Sequence, residues 1–159
     1  MGITLHNIFI GAADNVFIRL VLLAIVGDTI FGVLRAIKEK KFNSNFGIDG
    51  AIRKCGMIAS ILFFVFVDAV IDLNLIAFIP ESLRGYLGLS KCGITEFFSI
   101  LFTAYEAVSI VKNMSLCDLP VKRVWIYLKN FLGKYTDELP DDDELEGLVK
   151  EEKNHENIR

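Results

Sequence analysis

The sequence predicts an all-α integral membrane protein with three transmembrane helices, followed by a C-terminal basic amphipathic helix and an acidic tail. Three observations carry that prediction. Hydrophobic residues make up 53% of the chain, including 13 Phe, and the mean hydropathy is +0.46; this balance favours a membrane protein over a soluble domain. Apolar stretches at 16–37, 55–79 and 94–112 are each long enough to cross a hydrocarbon core of about 30 Å at about 1.5 Å per residue. Charge is also segregated. The whole chain has 17 Lys+Arg and 20 Asp+Glu, of which three and ten lie from Tyr135 onward, leaving 14 basic and 10 acidic residues before it.

Residues 1–15 contain no Lys or Arg and are mildly amphipathic, so a short surface segment is expected. No basic region precedes the first apolar run, which argues against a cleaved signal. Gly2 invites lipidation, but His6 stands where Ser or Thr is wanted. The first span, 16–37, carries Arg19 near its start and Asp28 near its middle. Ala24, Asp28, Gly32 and Ala36 recur at intervals of four, a spacing of small residues that lets membrane helices approach closely. Asp28 on that face is a functional candidate, with a structural contact between helices as the bland alternative.

A basic loop is expected next. It holds Arg35, Lys38, Lys40 and Lys41, then Asn43, Ser44, Asn45, Gly47, Gly50, Arg53 and Lys54. The second span, about 55–79, bears Asp68 and Asp72 one turn apart, with Asn74 a candidate for its true end. The following loop has only Arg84 and Lys91 as basic residues. The uneven distribution of Lys and Arg places the N-terminus outside and the C-terminus inside.

The third span is the most informative. Glu96, Ser99, Thr103, Glu106 and Asn113 interrupt an otherwise apolar run with gaps of three, four, three and seven, which puts all five on one helical face. Nine strongly apolar residues supply roughly 4 kcal/mol of insertion energy, while a central carboxylate costs on the order of 2.5–3.5 kcal/mol. Alone, this helix is marginal in lipid. Its polar face must meet another helix or water, and a soluble amphipathic helix is the bland alternative. Beyond Pro120, Val121, Val124, Trp125, Leu128, Phe131, Leu132 and Tyr135 recur at helical spacing among Lys122, Arg123, Lys129 and Lys134. That pattern suits a membrane-surface helix over 114–136, anchored by Trp125 and Tyr127; packing on a soluble partner is the alternative. Residues 137–159 are expected to be a disordered acidic tail.

Cys55, Cys92 and Cys117 are far apart, and His6 and His155 lie at opposite ends. No metal site, disulfide framework or nucleophile–base constellation follows, so neither catalysis nor a cofactor is expected. No nucleic-acid partner is expected either.

In order and spacing, several pieces from about Leu23 to Leu132 resemble the phage lysis and toxin-secretion holins. They are Asp28 with Gly32, the run Lys41-Phe42-Asn43-Ser44, and Gly47, Gly50, Arg53 and Lys54 leading into a span bearing Asp68. They end with Glu106-Ala107-Val108-Ser109-Ile110, Asn113 and Leu119-Pro120. The first fourteen residues and the tail lie outside this resemblance. It implies a small bacterial or phage inner-membrane protein that accumulates harmlessly and then oligomerises and permeabilises the membrane. Endolysin or toxin then escapes. An antiholin is an implied possible partner beside the bilayer and copies of the chain itself. The next methionine is Met57, which does not support a dual start. Two other classes stay open: a small ion or proton channel or transporter subunit with Asp28, Asp68 and Glu106 as a relay, and an antiholin that opens nothing.

Overall fold

A computed structural model describes residues 5–40, 44–86, 89 and 91–134. Among these residues the chain is all-helical: α1 Leu5–Asp14, α2 Val16–Glu39, α3 Ser44–Ile71, α4 Glu81–Tyr86, α5 Ile94–Leu116 and α6 Lys122–Leu132. Three helices are long and apolar enough to span a bilayer, covering Val16–Glu39, Gly47–Ile71 and Ile94–Leu116.

Local chemistry sets the ends of α2. Asn15 is its N-cap and accepts from the Phe17 and Ile18 amides, which satisfies donors that a helix start leaves orphaned. Lys40 closes it in the left-handed region, φ 52°, returning its amide to Ala36 and Ile37. The N-terminal surface segment is helical as α1. It lays Phe9 edge-on against Phe66 of α3, with ring centroids 6.1 Å apart.

Three expected boundaries need correction. The basic loop ends sooner than its glycines suggest, because α3 starts at Ser44 and takes Gly47, Gly50, Arg53 and Lys54 into the helix. Two helical glycines cost about 1 kcal/mol each relative to Ala; what Lys54 gains from its helical position is described below. Asn43 lies outside the described residues. At the other end α3 stops at Ile71, not Ile79. Asp72 adopts the left-handed conformation, φ 52°, and Asn74 accepts from the Ile76 and Cys92 amides. The Leu75 amide also meets the Cys92 carbonyl at 2.7 Å. The chain thus turns eight residues before Pro80. Likewise, the helix expected over 114–136 is confined to α6, because α5 continues to Leu116 and Asp118 turns with φ 60°.

Long-range bonds define the topology. Asn15, before α2, donates to Glu96 at the start of α5, while Lys38, near the end of α2, donates to the Leu116 carbonyl. The helices α2 and α5 are therefore parallel, and they form the main packing pair. Near the end of α3, Asp68 meets the first residues of α5, so α3 runs antiparallel to both.

Val21, Ile25, Met57 and Ile61 form a small apolar core with Ile18 and Phe102 against it. Phe64 stacks on Phe98 at 4.3 Å. Large apolar side chains such as Leu23, Ile30, Val33, Phe63 and Leu101 point outward. In a soluble domain that surface would be an aggregation liability; in a bilayer it meets lipid.

Residues from Arg123 onward form a separate unit. In α6, Tyr127 is exposed and Trp125 is buried. The acidic tail lies outside the described residues.

Candidate functional site

The inward faces of the three long helices carry polar residues, and their centre is an ammonium group. Lys54 of α3 donates to Asp28 Oδ2 of α2 at 2.5 Å and to Glu106 Oε2 of α5 at 3.0 Å. Asn113 Nδ2 of α5 donates to the other oxygen of Asp28 at 2.9 Å. Asp28 and Glu106 are buried, and the Lys54 side chain is 14% exposed. The sequence marks Asp28 and Glu106 as separate candidates and gives neither a partner; the structure joins them on one cation. The signal for it is the helical register of Lys54, hidden because the two preceding glycines read as loop.

Small residues on α2 make the cluster possible. A Cβ on Gly32 would lie 3.7 Å from Asn113 Nδ2, and one on Gly27 would lie 3.2 Å from Ile110 Cδ1. This is the close α2–α5 approach that the four-residue spacing of small residues predicts. The cluster lies about 20 Å along α2 from Asn15 and about 16 Å from Glu39, at 1.5 Å per residue. It is therefore deep in any bilayer that these helices span.

The predicted stripe on α5 faces inward. Ser99, Glu106 and Asn113 are buried, as are Thr95 and Ser115, which sequence reading missed. The hydroxyls of Thr95, Ser99, Thr103 and Ser115 and Glu106 Oε1 are buried without a hydrogen-bond partner among the described residues. Ser44 opens α3, and Gly47 and Gly50 lie on it with open space beyond their Cα atoms, away from the cluster.

A second polar set closes the end of the bundle where α5 begins. Gly93, the N-cap of α5, has no side chain, so Asp68 caps the helix from α3, accepting from the Ile94 and Thr95 amides at 3.0 and 2.8 Å. Glu96 accepts from the Gly93 amide at 2.6 Å and from Asn15. A side chain at Gly93 would collide with this arrangement, since its Cβ would lie 2.7 Å from Asp68 Oδ2. Asp72, placed on the second span by its sequence, lies just beyond α3, exposed and paired with Lys91. That hydrogen bond and charge hold its carboxyl below the usual range. At the opposite end, the Lys38 hydrogen bond and charge do the same for Asp118. Because both folded values are depressed, these pairs contribute above the ordinary carboxylate pKa and are lost as pH falls through the lowered values. Burial pushes the Cys92 thiol up, so it is a poor probe of topology.

Residues 4–137 match the bacteriophage holin family, a range that includes α1, which the motif resemblance left outside. The holin-like protein TcdE of Clostridioides difficile is 50% identical over 133 residues, covering 83% of this chain and 80% of that protein. No solved structure matches the chain.

Proposed function

The chain belongs to the bacteriophage holin family, and from that premise we propose that it assembles with copies of itself in the bacterial cytoplasmic membrane and opens holes large enough to release an endolysin or toxin. The seam between α2, α3 and α5 is shut around Lys54 in the single chain and becomes the wet wall of the hole when the helices part. One observation carries this reading: five buried polar atoms on α5 have no hydrogen-bond partner among the described residues. Each such atom costs about 1–3 kcal/mol relative to a hydrated one, so the seam gains by reaching water. The outward apolar surface suits lipid or a second copy.

The relay reading is poorly supported. Both Asp68 oxygens are occupied by α5 amides, and Asp68 stands about 21 Å along α3 from Lys54. In the proposed orientation, Asn15, Asp68 and Glu96 lie at the outer face. With the native cysteines removed, Ser82→Cys on exposed α4 should react with an impermeant thiol reagent in intact cells before any hole opens; protection of Ser82→Cys would reverse the orientation.

The hole itself is tested by reconstituting the full chain in vesicles loaded with a small dye and a protein-sized dextran. Both should escape together. Escape of the small dye alone would favour an ion channel, and escape of neither would favour an antiholin.

A further inference from the structure

Arg53 precedes Lys54 on α3, and Tyr105 precedes Glu106 on α5. These neighbours meet on the outside of the same α3–α5 contact, where the Arg53 guanidinium carbon lies 5.2 Å from the Tyr105 ring centroid. Both side chains are exposed, within the spans Gly47–Ile71 and Ile94–Leu116. Tyr105 is about 16 Å along α5 from Leu116. The cation is thus held sideways on a ring, and Ile48, Ile52 and Leu101 are exposed on the same two helices. Among the described residues it meets no carboxylate, and Asp49, exposed one turn earlier, forms no ion pair with it.

A guanidinium at that depth on a lipid-facing surface is costly unless an anion comes to it. A phosphate diester fits, because its two free oxygens accept parallel N–H groups from one guanidinium, and the exposed Tyr105 hydroxyl is a further donor. We propose that Arg53 and Tyr105 hold the headgroup phosphate of an anionic phospholipid on the outer side of the α3–α5 pair. An anionic headgroup is favoured over a zwitterionic one because it brings no ammonium to compete with Arg53. The exposed apolar side chains of the two helices receive its acyl chains. A headgroup drawn to this depth thins the leaflet next to Lys54 and Glu106, at the place where the seam must admit water. The proposal rests on the membrane-spanning, hole-forming reading above.

The test uses the full chain in phosphatidylcholine vesicles with and without phosphatidylglycerol, together with native mass spectrometry to count retained lipid. The parent protein should retain phosphatidylglycerol and release dextran about fivefold faster in the mixed vesicles, the effect of roughly one basic contact with an anionic surface. Arg53→Gln should lose both the retained lipid and the difference between vesicles. Arg53→Lys keeps the charge without the fork and should fall between them, while Tyr105→Phe should weaken retention. If Arg53→Gln keeps its lipid and its rate ratio, the proposal is wrong. It is also wrong if Arg53→Gln slows both vesicles equally with lipid retained, which would assign Arg53 to contact between copies. A parent protein that leaks from neither vesicle would sink the hole-forming reading, while the lipid count would still decide this one.

Discussion

Replacing Lys54 with Met is expected to cost the closed bundle about 3–5 kcal/mol, because it leaves two buried carboxylates without the cation that joins them. Asp28 and Glu106 approach the Lys54 ammonium from two different helices, so the loss falls on the joint between all three. Thermal unfolding of the purified protein in detergent should show a much less stable chain, and leakage from vesicles should begin sooner. The triple variant Asp28→Asn, Lys54→Met, Glu106→Gln removes every charge of the cluster together and should recover most of the lost stability, since a neutral cluster avoids the uncompensated charge. Glu106→Gln alone leaves a one-to-one Asp28–Lys54 pair and should lie within about 1 kcal/mol of the parent. If Lys54→Met melts like the parent, the ammonium is not the joint.

The second large effect is expected where α5 begins. Asp68→Ala removes the acceptor for two α5 amides and should cost about 1–2 kcal/mol, as the loss of a helix N-cap does. Gly93→Ala should be at least as harmful, because its Cβ would lie 2.7 Å from Asp68 Oδ2 and 2.9 Å from Glu96 Oε2. The double variant should cost clearly less than the sum, since truncating Asp68 clears the space into which the new Cβ points. Strict additivity in detergent unfolding would mean that Asp68 and Gly93 do not act as one cap.

The architecture was legible because a bilayer makes simple demands. Three apolar runs and a stripe with gaps of three and four suffice to show three helices and an inward polar face. Asp28 with Gly32 likewise reads directly as a close-packed polar face, and it meets Asn113 as that spacing implies. What stayed hidden depends on tertiary partners. Gly47 and Gly50 read as loop, and the partners that hold Lys54 within the helix beyond them lie far away in sequence. Asp72 follows Asp68 by one turn in sequence, yet the left-handed turn at Asp72 separates their fates. One carboxylate caps a neighbouring helix and the other pairs with Lys91 at the surface. Gly93 carries no capping signal of its own, because its cap comes from another helix. Thr95 and Ser115 lie on the buried face of α5 beyond the ends of the stripe that the spacing marks out.

The central claim is that the seam closed within one chain is the surface that opens to water, and a reversible lock between α2 and α5 tests it most directly. Ile110 Cγ1 lies 4.0 Å from the Cβ position of residue 27, near the reach of a disulfide once both positions are cysteine. Neither residue belongs to the Lys54 cluster. In a chain with Cys55, Cys92 and Cys117 replaced by Ala, the pair Gly27→Cys and Ile110→Cys should oxidise, or accept a short bifunctional thiol crosslinker. The locked protein should insert and associate but retain dextran in its vesicles, and reduction should release the dextran. A locked protein that passes dextran as fast as its reduced form would show that holes form with the α2–α5 seam shut, contradicting the account.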